Sequence, residues 1–252
     1  MPQGDPHGSH HNGLGDAGRS ELSPLRGPMP DCAAEAPPDC ALCPRLAAFR
    51  TGNRRDQPAW HNGPVASFGR EQAGRARLLI VGLAPGLRGA NRTGRPFTGD
   101  YAGALLYETL LAYGFAHGLY DARPDDGLGL TDCLIANAVR CVPPENKPTP
   151  AEIGNCRPFL VQRMATMPRL SAIVVLGRIA HDSTLAALGV RKAAFPFAHG
   201  AQHSVRDGVV LFDSFHCSRY NTNTGKLTAE MFRAVFGDVR THLDQQKMRP
   251  GK

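Results

Sequence analysis

Long apolar runs are missing from this 252-residue chain. No stretch approaches the ~20 apolar residues that cross a bilayer, and the amino terminus has no apolar core of secretion-signal length. A cytoplasmic protein with no membrane partner is therefore expected. Also missing, after the short run that ends at Val81, are G-x-x-x-x-G-K-[ST] and G-x-G-x-x-G, two common cradles for nucleotide phosphates, so no nucleotide cofactor is expected. Acidic residues are in deficit, 22 against 29 Lys and Arg, and the formal charge of +7 suits a polyanionic partner. Seven cysteines, an odd number unevenly spaced, speak against a disulfide framework and for metal ligation or free thiols.

Residues 1–30 are rich in Gly, Pro, His, Ser and Asp and poor in large apolar side chains, so they read as a disordered tail in which His7, His10 and His11 form only a weak metal tract. Residues 31–245 read as one catalytic domain and 246–252 as a flexible end; a monomer is expected. Within the domain, the short, β-branched apolar runs at 77–81, 133–139, 172–176 and 209–212 predict strands covered on both faces. Helical spacing over 101–113, 151–164 and 179–188 places helices between them. The fold class that follows is α/β, a central four-stranded parallel sheet with helices on both faces. Right-handed crossovers put the carboxyl ends of all four strands on one edge, where open sheets bind ligands.

The loops leaving that edge carry the chemistry. The first, 82–100, combines glycines that allow close backbone approach with Arg88, Arg92 and Arg95, which suit phosphate. Phe97, between Pro96 and Thr98, is an aromatic face that no helical or strand period buries. The others bring Asn137, then His181, then His216 with Arg219, Tyr220 and Asn221. A convergence of Asn, His and Asp on one edge points to a nucleotide site rather than to packing.

Cys40 and Cys43 form a C-x2-C pair, and Cys141 and Cys156 are 14 residues apart (156 − 141 − 1). Brought together by the fold, they make a four-thiolate site, for which structural zinc and a [4Fe–4S] cluster are both acceptable. Cys133 falls in a predicted strand and reads as a small buried hydrophobe, while Cys32 and Cys217 carry no assignment.

The run 82–100, the segment 137–148 (Asn-Ala-Val-Arg-Cys-Val-Pro-Pro-Glu-Asn-Lys-Pro) and the segment 216–228 (His-Cys-Ser-Arg-Tyr-Asn-Thr-Asn-Thr-Gly-Lys-Leu-Thr) resemble the signature loops of family 5 (B-type) uracil-DNA glycosylases. The similarity runs from about Cys40 to about Gly237. It implies a three-layer α/β fold, excision of uracil from DNA in base excision repair, and a [4Fe–4S] cluster held by Cys40, Cys43, Cys141 and Cys156. Most of that superfamily carries Asp, Asn or Glu near the first-motif proline. Leu83 and Ala84 stand there instead, a mark of family 5 that leaves the water-activating group open.

A glycosylase must extract the base, read its edge and stabilise the negative charge it carries away. Gly82, Ala84, Phe97, Asn137 and His216 are the expected base-binding residues. The Asn137 amide matches the N3–H and O4 of uracil, whereas cytosine presents the reversed pattern. Hypoxanthine and xanthine offer the same edge, so deaminated bases in general are expected substrates. His216 is expected to donate to O2 of the leaving base. Asp100 is expected to activate or position water and face the cationic sugar, with helix capping as its structural alternative. Arg88, Arg92, Arg95, Arg219 and Lys226 are expected at phosphates, and Tyr220 with Asn221 as a wedge in the duplex. The competing reading is a non-catalytic nucleic-acid-binding module stabilised by a metal, which does not need Asn137, His216 and Asp100 to converge.

Overall fold

The structure is a computed structural model that describes residues 33–247. The tail 1–30, with its three histidines, lies outside the described residues, as do Cys32 and 248–252. In chain order the elements are α1 (Pro44–Asp56), β1 (Leu78–Gly82), α2 (Ala90–Thr93), α3 (Tyr101–Ala112), a short pair β2 (Ala116–His117) and β3 (Gly129–Leu130), then β4 (Cys133–Asn137), α4 (Pro150–Ala165) and β5 (Ala172–Leu176). There follow α5 (Arg178–Leu188), β6 (Gln202–Arg206), β7 (Val209–Ser214), α6 (Arg219–Asn223) and α7 (Ala229–Lys247).

The main sheet has the order β4-β1-β5-β7-β6. The four expected strands pair in parallel, and every residue of β1, β4 and β5 is buried, as strands covered on two faces must be. Their alternation fills two cores. Ile80, Val174 and Phe212 pack with Leu106 and Leu110 of α3 and Phe232 and Phe236 of α7. Leu79, Val81, Ile173 and Val175 pack with Leu160 and Met164 of α4 and Leu185 of α5.

The sheet departs from the expected four strands by one. β6 adds a fifth, antiparallel to β7. Its sequence, Gln-His-Ser-Val-Arg, buries only Val205, because an edge strand needs no continuous apolar run. The usable signal was Asp207-Gly208, a two-residue turn in which Gly208 takes φ 74°.

From β1 the chain moves to β4 on one side and then, through α4, to β5 on the other. The order reverses at β1, so the loop leaving β1 sits at the topological switch point. Backbone bonds from Ala138 N to Gly82 O and from Val139 N to Leu83 O, both 2.9 Å, sew the exits of β4 and β1 together. Two caps fix the helices that border this edge. Asp100 begins α3, its carboxylate accepting from Gly103 N at 3.3 Å. Thr149 and Glu152 form a reciprocal capping box at the start of α4.

Candidate active site

At the carboxyl edge lies a cavity of about 130 Å³ lined by Leu83, Ala84, Phe97, Asp100, Asn137 and His216 among others. That is well under the ~300 Å³ at which small-molecule pockets begin, a size for one ring system rather than an extended ligand.

Asn137 ends β4 in register with Gly82 of β1. It is 3 % exposed, and its Oδ1 is buried without a hydrogen-bond partner. Gly82 is required for room: a Cβ there would overlap Asn137 Oδ1 and stand 2.6 Å from Phe97 Cζ. Phe97 differs from its sequence expectation, because the fold does bury it, to 7 % exposure. It sits at φ 52°, a left-handed backbone costly for a bulky residue. Tyr120 Oη donates to its carbonyl at 3.2 Å and Tyr107 Oη to that of Pro96, which holds the turn. The Phe97 and His216 rings lie 6.0 Å apart at 32°.

Asp100 caps α3 and lines the cavity at once. Burial raises its pKa above the ordinary Asp value, with backbone N–H groups of Gly103 and Ala102 opposing. The glycines of the first loop serve this carboxylate: a Cβ on Gly89 would overlap it and one on Gly86 would come within 3.2 Å of Oδ2. Burial pulls the pKa of His216 down, so its imidazole is neutral at neutral pH. Asn221 Nδ2 donates to His216 O at 2.8 Å, so Asn221 supports the loop of His216 from its half-buried position.

Arg88 and Lys226 are exposed in loops at this edge, Arg92 on α2, and Arg219 and Tyr220 on α6. Tyr220 is 74 % exposed, Arg219 lies over the Tyr101 ring at 5.2 Å and Lys226 Nζ over that of Phe215 at 4.9 Å. Arg95 is a correction. Its guanidinium is buried, donating to both carboxylate oxygens of Asp126 at 2.8 and 2.7 Å and to Thr98 Oγ1 at 2.7 Å. An internal pair this complete leaves nothing to offer a phosphate. His181 is another: Nδ1 is 2.6 Å from Asp213 Oδ1 and Nε2 is 2.9 Å from Phe195 O, so it faces its own buried network and not the cavity. Burial opposes it, but the bond to Asp213 raises the His181 pKa.

Cys40, Cys43, Cys141 and Cys156 do come together, with Leu46, Val139 and Phe159 around them. Three N–H groups point at their sulfurs: Arg50 Nη1 at 3.6 Å from Cys141, Arg140 N at 3.4 Å from Cys156 and Asn155 Nδ2 at 3.7 Å from Cys43. Arg45 of α1 pairs with Glu152 of α4 through two bonds of 2.8 Å and so joins the helix after the C-x2-C pair to the helix bearing Cys156. Cys133 is fully buried in β4, as expected. Burial pushes the pKa of the Cys217 thiol up to about 12, and its Sγ bonds Ala102 O at 3.4 Å.

Sequence reasoning missed Gly86, Ala90, Ala102 and Asn146, which also line the cavity. Asn146 announces itself only by φ 58°, a conformation that Asn tolerates. It missed His199 as well, whose Nδ1 accepts from Phe215 N at 3.1 Å and whose ring stacks on Phe215 at 5.0 Å, next to His216.

A base-sized cavity at a switch point, with the buried amide of Asn137, one carboxylate and one neutral imidazole in its wall, defines an α/β enzyme that handles a nucleobase. Comparison with known proteins makes this specific. A family model described as the uracil DNA glycosylase superfamily matches residues 68–240. The chain is 44 % identical over 207 residues, 80 % of it and 92 % of the relative, to the type-5 uracil-DNA glycosylase of Thermus thermophilus. To that of Pyrobaculum aerophilum it is 38 % identical over 202 residues, 78 % of this chain and 86 % of the relative. A type-4 uracil-DNA glycosylase of Archaeoglobus fulgidus matches more narrowly, 37 % over 107 residues, 42 % of this chain and 46 % of the other. The chain belongs to the uracil-DNA glycosylase superfamily, in its type-5 family.

Proposed function

We propose that the protein hydrolytically excises uracil, and with it hypoxanthine and xanthine, from DNA in base excision repair. The observation that carries this reading is the Asn137 side chain, buried with an unpartnered acceptor in the wall of a cavity. A buried orphan acceptor costs about 1–3 kcal/mol, so the site is incomplete until a donor arrives. The N3–H of uracil, or the N1–H of hypoxanthine and xanthine, is that donor, while the Asn137 amide N–H serves the adjacent carbonyl. Cytosine offers a lone pair where the N–H is needed, and repels Oδ1.

With the base against Phe97, neutral His216 donates to O2, where negative charge grows as the glycosidic bond breaks. Leu83 and Ala84 have no side-chain group that can take a proton. Among the lining residues Asp100 is the carboxylate, so it takes the proton of the attacking water and faces the cationic sugar. Arg88, Arg92, Arg219 and Lys226 are the proposed phosphate contacts, with Tyr220 the proposed wedge. Single-turnover excision from matched duplexes containing uracil, hypoxanthine, xanthine or cytosine tests the reading: release of the first three and not of the fourth is expected, and release of none of them overturns it.

Cys40, Cys43, Cys141 and Cys156 are the proposed ligands of the [4Fe–4S] cluster that the family resemblance implies. The donor set fits, with three N–H groups already directed at sulfur. Four thiolates suit zinc and a [4Fe–4S] cluster alike, and the resemblance favours the cluster. When bound, the cluster supplies a cross-link between α1, the β4 exit and α4, and no chemistry at the base.

A further inference from the structure

We propose that a second cavity, beside the base pocket, takes one unpaired nucleotide of the DNA strand and stacks its base on Trp60. The proposal rests on the glycosylase reading above and adds a subsite to it.

The cavity has a volume of about 450 Å³ and is lined by Trp60, His61, Arg92, Thr93, Arg123 and Pro124, with two alanines. Trp60 is the single tryptophan of the chain and is half-buried, so its body is anchored while part of it meets solvent. An aromatic side chain and two arginines lining one cavity are the combination that binds single-stranded nucleic acid: bases stack and phosphates pair. Arg92 is exposed, with Nε donating to Arg88 O at 2.9 Å. Arg123 lies near Asp121 and Asp125 at 3.3 and 3.8 Å, but all three are exposed, so those pairs yield readily to a phosphate.

The position is fixed relative to the base pocket. His61 N donates to Arg92 O and Asn62 N to Asn91 O, both at 3.0 Å, and Asn91 Nδ2 donates to Asn62 Oδ1 at 2.9 Å in a buried bond. Gly94 lets the His61 ring close in, since a Cβ there would stand 3.0 Å from its Nδ1. The segment carrying Trp60 is thereby sewn to α2. That short helix contributes Ala90 to the base cavity and Arg92 and Thr93 to this one. Both cavities draw on that one four-residue helix, which sets them side by side.

Because the chain has one tryptophan, its fluorescence reports on this cavity alone. The test titrates the full-length protein with uracil-free oligothymidylate and with a base-free abasic oligonucleotide of the same length. Saturable quenching by the first and not by the second is expected. Trp60→Ala should weaken oligothymidylate binding about tenfold by anisotropy, as loss of ~1–3 kcal/mol of stacking predicts. Trp60→Phe should restore it to within threefold. A thermal midpoint within a few degrees of the parent shows that both variants are folded. Equal quenching by the abasic strand, or unchanged affinity in folded Trp60→Ala, overturns the proposal. Uracil excision by the same preparation, measured alongside, separates that outcome from a failure of the glycosylase reading.

Discussion

Asp100 caps α3, and we propose it as the base as well; pH separates the two roles. Burial holds its pKa above the ~3.9 of a free Asp, and as a base it works only when ionised. Excision should therefore fall as pH drops through that raised value, with an acid limb at higher pH than an unperturbed carboxylate would give. Asp100→Asn should abolish that limb and slow single-turnover release while DNA binding stays near normal. Stability moves in the opposite sense. A carboxyl raised in the folded state favours the protonated fold, so its ionisation costs stability above the unfolded pKa. Asn keeps the cap and removes that cost, so the thermal midpoint of Asp100→Asn at pH 7 should hold or rise, whereas Asp100→Ala should lose about 1 kcal/mol with the cap. Full single-turnover activity in Asp100→Asn would leave only the capping role. At Gly82 the issue is space: Gly82→Ala should displace Asn137 and Phe97 together and lower both excision and base discrimination.

At the scale of elements, the Arg95–Asp126 pair fastens the loop before α3 to the segment before β3. Asp126 is held well below the usual carboxylate range, chiefly by its bond to Arg95. Arg95→Ala strands a buried carboxylate and should cost ~3–5 kcal/mol in chemical denaturation, with no change in the salt dependence of DNA binding. A change in that salt slope at unaltered stability would return Arg95 to the phosphate contacts. The elements themselves were unevenly legible in the sequence. β1, β4, β5 and β7 were plain because strands buried on two faces leave continuous apolar runs, and α4 and α5 followed helical spacing; α3 was placed rightly but is apolar nearly all round and turns Leu106 and Leu110 inward, and α7 was not expected. β6 was hidden by its polar edge character. Asn137 and His216 were legible because polar residues close apolar runs at strand exits. Arg95 was misread because its partner Asp126 is 31 residues away and only the fold joins them. Asn146 and His199 left no pattern, one entering the wall through a left-handed turn, the other through a backbone contact.

Taken whole, the molecule is a basic body with a net charge of +7, and Arg88, Arg92, Arg219 and Lys226 are exposed on the segments that leave the carboxyl edge of the sheet. Affinity for DNA should fall steeply with salt, and Arg92→Ala or Arg219→Ala should each reduce the slope of log K against log [salt] by about one, for damaged and intact DNA alike. Altered base preference with an unchanged slope would refute the phosphate role. The thiol cluster joins α1 to α4 far apart in sequence, so anaerobically purified protein should be brown and contain iron, and Cys40→Ala should impair folding more than chemistry. Stoichiometric zinc without iron would contradict the cluster.

The central claim is that one buried amide selects the base, and single-turnover excision by the parent and by Asn137→Ala tests it most directly. On duplexes differing only at one position, the parent should release uracil and leave cytosine. Asn137→Ala should release uracil at least tenfold more slowly and lose most of the discrimination between the two bases. Should Asn137→Ala fold normally and keep both the rate and the discrimination of the parent, the base is read elsewhere and the account of this site is wrong.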